Sequence, residues 1–502
     1  VLGLIGATLP DYDVIVATRT LLVALAVGLG VTLVAAWWPT RSATNVPAMA
    51  ALGSSEAPEA GLSRRRILAA GLVGLVGAAV ATSAALGSAS TAITLTMMGL
   101  GALAIFAAVI LISPRLVGPV AAGFAVLLDR LGMPGRLAVR NARRKAGRTA
   151  TTAAALMIGL AIVSMALVVG QSVKTQLGSD LETAVQADYL LTDQAGDAGF
   201  SSTIVDDLAT NPLVEAVTGF RLSEAQIDDE TVGIAAADLS SMTSLFELAI
   251  SDGVVATESS DVLVSRSHAD EASIAVGDSI AVTLNTGSPA TLTVTGIFDE
   301  DAIVAEDWLV DIALFDQAGI IAPDTFVAFN LVPGLDTASS ELAIAEITER
   351  YPQGELETAD EFRIRIEGLI DQILSVLNAL VALAVIIALI GIANTLALSV
   401  AERTREIGLL RAVGMSQRGV RRMIRYESAV IAGFGAVLGV AMGIGLGWLS
   451  VQALPASFAD TLSIPTGQIM TLVVIATIAG LGAALLPARR AGRMNVLAAI
   501  AS

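Results

Sequence analysis

Seven stretches of this 502-residue sequence are apolar over a length that crosses a bilayer, and they leave a single long hydrophilic segment between them. They fall near residues 20–38, 67–87, 92–113, 150–171, 370–398, 428–453 and 469–486. Each meets or nearly meets the ~20 residues that a helix needs to cross ~30 Å of hydrocarbon. Backbone polar groups in hydrocarbon must pair within the segment itself, so such stretches become helices. The hydrophilic exception is 172–368. The expected fold class is therefore an α-helical polytopic membrane protein, with about seven transmembrane helices in this chain and one extracytoplasmic domain. An odd number of crossings puts the chain ends on opposite sides of the bilayer.

Charge assigns the sides. Segments 39–66, 114–149, 399–427 and 487–502 hold 22 of the 29 basic residues and six acidic ones, and the positive-inside rule makes them cytoplasmic. The other side holds 7 basic and 41 acidic residues, so the formal charge of −18 is an average of two opposed surfaces. The basic clusters at 64–66 and 140–148 abut apolar spans. They read as topology signals and contacts with membrane lipid headgroups, and nucleic acid is not expected as a partner. The opening from Val1 shows neither a basic n-region nor a cleavage site, and the chain reads as the C-terminal part of something longer.

The spans carry no ionisable side chain in their interiors; Asp371 and Glu427 fall at span ends. A carrier driven by ions or protons needs such groups at mid-membrane. Asn378 and Asn394 in the fifth span are expected to hydrogen-bond between helices. Gly435, Gly439 and Gly443 in the sixth are four apart and put a smooth stripe on one helix face, a close-packing surface.

Residues 172–368 read as α+β. Ile280, Val282 and Leu284, then Leu292 and Val294, alternate about a Thr-Gly-Ser-Pro turn and predict a β-hairpin. "TASSELAIAEITERYP" has helical spacing, with Leu342, Ala345 and Ile347 to one side and Pro352 as the stop. "ADEFRIRIEGLIDQIL" runs into the fifth span without a Gly-Pro break, which predicts a helix rising out of the membrane as a stalk. The acidic runs at 228–230 and 299–307 do not fit a calcium loop, since Ile303 stands where the third ligand belongs, and His268 is the sole histidine. No metal site, cofactor or catalytic residue is expected in this chain. A Walker A loop needs lysine directly after glycine; Lys145 follows arginine and Lys174 follows valine, so the chain does not read as a P-loop ATPase.

A charged segment of residues 399–427 separates the fifth and sixth spans, with Ile407, Leu410 and Val413 three apart. Residues 401–448, "AERTREIGLLRAVGMSQRGVRRMIRYESAVIAGFGAVLGVAMGIGLGW", closely resemble the cytoplasmic loop and following span of FtsX-like permeases, the MacB and LolC type of ABC transporter membrane subunit. The family pattern is matched at Glu402, Arg403, Glu406, Ile407, Gly408, Leu410, Arg411, Ala412 and Gly414. The basic stretch 137–159 before the fourth span is also similar, and the order of one span, an outer domain and three spans recurs over 150–486. "PTRSATNVPAMAAL" at 39–52 aligns without gaps to "PARRAGRMNVLAAI" at 487–500, which suggests a duplication. Residues 1–52 then resemble the last span and tail of a first permease repeat, and 53–118 add two linking helices. Residues 119–149 form a basic amphipathic cytoplasmic segment and 150–171 the first span of repeat 2. The outer domain and stalk occupy 172–368, and the three-span permease domain 369–502.

The resemblance implies that 399–427 carries a coupling helix seated on a separate ABC ATPase subunit, which binds the ATP-Mg. Glu402, Arg403, Arg405, Glu406, Arg411 and Arg418 would supply polar contacts, Ile407, Leu410 and Val413 apolar ones, and Gly414 the turn. An amphipathic helix anchored on anionic lipid would also suit the arginines. The resemblance implies a multi-pass protein of the bacterial plasma membrane that moves lipid, lipoprotein, peptide or drug. The alternative is an FtsX-type signalling or scaffold protein acting on a cell-wall protein.

Overall fold

The computed structural model describes residues 18–44, 64–86 and 91–494, apart from 194–198, 202, 228–229, 256–257, 300–305, 335–339, positions 341, 343, 345, 346 and 348, 352–353, 455–458 and 460. Residues 45–52 and 495–500 of the two aligned tails, the first two acidic residues of 228–230 and residues 300–305 thus lie outside the described residues, as do Ala345, Pro352 and the side chain of Asn378.

Ten long or boundary helices form the membrane part: α1 (Thr18–Thr44), α2 (Arg64–Leu86), α3 (Thr91–Leu128), α4 (Met133–Arg144), α5 (Ala146–Ala184), α6 (Ala359–Glu402), α7 (Thr404–Ala412), α8 (Gln417–Val451), α9 (Thr466–Ala483) and α10 (Leu485–Gly492). Among the described residues, six candidate spans are long and apolar enough to cross a membrane. They lie in α2, α3, α5, α6, α8 and the α9–α10 pair, while α1 holds a shorter apolar run, Thr18–Gly30.

The third span does not stop near residue 113 as its sequence suggests. Helix α3 continues through Pro114 and Pro119 to Leu128. Pro114 has no N–H to give the carbonyl of Ile110, and the Ser113 hydroxyl donates to that carbonyl instead at 2.8 Å. Val117 and Ala121 beyond Pro114 are fully buried, so packing offsets the cost of the prolines. The Phe124 ring of α3 lies against Gly433 of α8, where an added Cβ would come within 2.3 Å of it.

Helices α5 and α8 make the central pair. A Cβ at Gly435, Gly439 or Gly443 would fall 3.0, 2.5 and 2.5 Å from the carbonyl oxygens of Ala153, Met157 and Ala161 in α5, so the two backbones touch along the whole stripe. Around that seam Leu156, Leu160, Val163, Ile392, Leu396, Ile431 and Phe434 build one core shared by α5, α6 and α8. Asn394 points the other way: it is exposed on the outer face of α6 rather than set between helices, because the buried face of that helix is taken by Ile392 and Leu396.

Helix α6 is unbroken for 44 residues and enters the stalk as expected, started by a capping box in which Thr358 and Glu361 satisfy each other's backbone N–H. Its companion extends beyond the apolar span that the sequence marks. Helix α5 runs 39 residues, past the membrane to Ala184, and makes the second half of the stalk. Lys174 joins the two, 2.7 Å from Asp371 and 3.5 Å from Glu367, and Leu374 of α6 lies against Gly170 of α5.

The α+β domain above the stalk has ten strands among the described residues: β1 (Tyr189–Asp193), β2 (Val214–Ile227), β3 (Glu230–Ala237), β4 (Ile250–Gly253), β5 (Asp261–Ser265), β6 (Ser279–Leu284), β7 (Pro289–Phe298), β8 (Trp308–Asp311), β9 (Asp324–Leu331) and β10 (Gly354–Thr358). The order is β10-β1-β9-β2-β3-β8-β5-β7-β4, with β6 pairing both β2 and β7. The double pairing of β6 closes β2, β3, β8, β5, β7 and β6 into a ring. Its interior is filled by Val262, Val282, Leu284, Leu292, Val294, Val310 and Trp308. The hairpin expected about the Thr-Gly-Ser-Pro turn is β6–β7, antiparallel, with Ile280 opposite Leu292. In the helix that follows β9, Ile347 is buried but Leu342 is largely exposed, so the two do not share one packed face. The stalk enters this domain through adjacent antiparallel strands: α5 leads into β1, and β10 leads into α6.

Candidate coupling site

Helices α6 and α7 meet at Arg403, whose φ of −102° and ψ of 22° break the long helix into two. Helix α7 ends at Ala412, and Gly414 turns the chain with φ +113°, a conformation open to glycine and costly for any residue with a Cβ. Ser416 then caps α8, its hydroxyl accepting from the Gly419 N–H at 3.1 Å. The turn is thus fixed at three successive points by residues whose chemistry suits each one.

The faces of α7 sort the charged segment differently from its apolar spacing. Ile407 is buried and Leu410 half-buried against the shared membrane core, whereas Val413 is 88% exposed. The exposed apolar partner of Val413 is Leu409, one turn earlier and 50% exposed, which the three-residue spacing passed over. Arg405 and Arg418 are exposed with them. Arg411 is half-buried and donates to the Met494 carbonyl, so it ties the loop to the segment after α10.

Arg403 turns inward, in contrast to the exposed docking contact expected of it. Its guanidinium donates to Glu406 at 2.8 Å and to Glu427 of α8 at 3.5 Å. The Arg403 side chain holds the Glu406 carboxyl below its ordinary value; partial burial opposes the shift, and the positive charges of Lys145 and Arg144 add to it. Asn141 of α4 lies beside the Glu427 carboxylate, and the positive charges of Lys145 and of Arg148 in α5 act on it from farther off. Arg148 in turn reaches Glu402 at 2.5 Å and Ser399 at 3.4 Å. Five helices, α4 to α8, thus meet in one polar cluster beneath the loop. Its centre, Glu427, is a carboxylate standing at the head of an apolar run, and that position was the one signal of it in the sequence.

This assembly of spans, twin stalk and folded outer domain around a charged loop defines a class, the multi-pass permease with a large extracytoplasmic domain. Comparison with known proteins places the chain within it. Residues 378–496 match the FtsX-like permease C-terminal family and residues 149–348 the MacB-like periplasmic core domain. The chain belongs to the FtsX-like, MacB-like family of ABC transporter permeases, multi-pass proteins of the bacterial inner membrane.

Among similar proteins, the ABC transporter permease YtrF of Bacillus subtilis is 38% identical over 130 residues, covering 24% of this chain and 30% of that one. The macrolide export ATP-binding/permease protein MacB of Acinetobacter baylyi is 32% identical over 167 residues, covering 33% and 25%. The matched region therefore spans less than a third of either relative's length. The periplasmic region of MacB from Actinobacillus actinomycetemcomitans aligns over 36% of this chain and 94% of its own, at 10% identity and a TM-score of 0.28. The extracellular domain of the ABC-type transporter YknZ aligns over 34% and 99%, at 15% identity and a TM-score of 0.26.

Proposed function

We propose that this chain is a permease subunit through which a separate ABC ATPase, holding the ATP-Mg, drives extracytoplasmic work: the export or extraction of a lipid, lipoprotein, peptide or drug. The observation that carries the reading is the outward face of α7. Leu409 and Val413 stand exposed beside Arg405 and Arg418 on a turn fixed by Gly414 and Ser416. An apolar pair rimmed by charge suits the groove of a protein partner. A lipid-anchored helix would need a longer apolar face than these two side chains supply. The two lysines support a separate ATPase, since neither follows a glycine, and Lys174 is committed to the stalk.

The test is recovery of a co-purifying ATPase from native membranes at matched permease levels. Leu409→Asp and Val413→Asp should each lower recovery about thirtyfold, the effect of losing roughly 2 kcal/mol at an interface anchor. Permease abundance should not change, because both side chains are exposed in the free chain. Glu406→Arg is a poorer probe, since it also breaks the internal pair with Arg403. Undiminished ATPase recovery with both aspartate variants would remove α7 as the docking element. ATPase stimulation by a purified lipid or peptide supports transport, whereas activation of a cell-wall hydrolase supports an FtsX-type signalling role.

A further inference from the structure

We propose that the Arg403–Glu427 pair is the brace that makes the α6–α7 junction rigid, so that a displacement of α7 is passed to both stalk helices instead of being absorbed at the junction. This rests on α7 being the element that meets the ATPase. The junction is where the continuous helix is interrupted, and an interruption of this kind bends when its far side is pushed. Arg403 is the residue at the break, and its backbone N–H still bonds to the Ser399 carbonyl of α6 while its carbonyl accepts from Ile407 of α7. The side chain leaves the break sideways and reaches α8, where it meets Glu427; both side chains are only 13% exposed.

Burial makes the pair unusual. Taking two charges out of water costs about as much as their attraction returns, so a buried ion pair is a poor source of stability and a good source of geometry. Here it lies beside an apolar floor of Leu396, Ile407, Met423 and Ile424, which shields the attraction from water. The surrounding contacts carry the load onward. Asn141 lies beside Glu427, the charges of Lys145 and Arg148 act on it from farther off, and Arg148 bonds to Glu402 and Ser399 at the end of α6. Arg148 also stands near the start of α5, the helix that becomes the other half of the stalk. Arg148 therefore ties the start of α5 to the end of α6, and Arg403 ties that same end to Glu427. Arg403 and Glu427 act through the helices they hold, as positioning residues, and neither is an ATPase contact.

The experiment uses the full chain with its co-purified ATPase. Spin labels at Thr183→Cys on α5 and Ile364→Cys on α6 report the stalk, and the chain has no other cysteine. The separation is measured without nucleotide and with ATP plus vanadate. Glu427→Gln keeps the shape and removes the charge; it should retain the ATPase but lose the nucleotide-dependent change in separation. ATPase activity of the complex reconstituted in phosphatidylglycerol vesicles should fall about fivefold or more, the lower end of the range for coupled sites. Glu427→Asp, which keeps the charge, should restore both. Arg403→Gln should behave as Glu427→Gln and gives a second route if that variant does not accumulate. A full nucleotide-dependent change in either glutamine variant, or its loss in Glu427→Asp and Glu427→Gln alike, would overturn the brace. Failure of the wild-type chain to recover an ATPase would overturn the docking reading and the brace with it.

Discussion

Gly439 fixes how closely the two central helices approach. A Cβ there would lie 2.5 Å from the Met157 carbonyl and 3.0 Å from the Leu160 Cβ, both in the packed body of α5. Gly445, six residues along the same helix, has open space where its Cβ would be. Gly439→Val should therefore destabilise the detergent-solubilised protein by about 1–3 kcal/mol through overpacking. Gly445→Ala should be neutral or slightly stabilising, because alanine is the better helix former. Thermal unfolding of the two variants side by side measures the difference, and equal losses would show that the seam adapts. Asp238 offers a pH test in the outer domain. It caps the helix Leu239–Leu245, accepting from the backbone and hydroxyl groups of Ser240 and Ser241. Burial opposes the charge most strongly of any single influence, yet these four hydrogen bonds together hold the carboxyl below its usual value. A lowered folded value gives stability that is present above the ordinary carboxylate range and is lost as pH falls through the folded value. The protease resistance of the wild-type outer domain should exceed that of Asp238→Ala at neutral pH, and the gap should close on acidification below about pH 4.

The stalk shows which forces hold an element pair together. Lys174 bridges Asp371 and Glu367, but the Asp371 side chain is more than half exposed, so water and salt screen the pair. Lys174→Ala should cost no more than about 1 kcal/mol. Gly170→Leu should cost more, about 1–3 kcal/mol, since Leu374 already fills the space its side chain would enter. The reverse order in unfolding measurements would mean that charge rather than packing joins the arms. The course of α6 was legible in the sequence because residues 359–402 contain no proline and keep an apolar helical pattern. The course of α3 was not, because its passage through Pro114 depends on the Ser113 hydroxyl and on partners for Val117 that lie on other helices. The same division runs through the loop. Its motif located the site, and Gly414 stood out as the turn. The inward aim of Arg403 and the outward aim of Val413 follow from a helix break at one end of α7 and a left-handed turn at the other. Apolar spacing records neither event. In the outer domain the β6–β7 hairpin is a local pattern, whereas the ring is closed by pairings such as β6 with β2 that join residues far apart in sequence.

Across the whole molecule, charge and fold divide the chain the same way. The acidic sheet domain and the arginine-rich loop stand at opposite ends of the long helices. Single cysteines test the orientation directly. Thr286→Cys at the tip of the β6–β7 hairpin should react with an impermeant maleimide in intact cells, and Gln417→Cys at the start of α8 should react only after the membrane is opened. The opposite pattern would invert the topology and place the loop out of reach of any ATPase. Helix α6 also sets a scale for what the two ends can exchange. At 1.5 Å per residue its 44 residues make an arm about 66 Å long. Turned by about 5° about its lower end, such an arm sweeps its upper end through about 6 Å, more than the ~4.8 Å between neighbouring strands. The arm therefore works as a lever with a long throw and little force at its tip: a tilt too slight to disturb the packing of the spans is enough to carry β10 across a full strand's width.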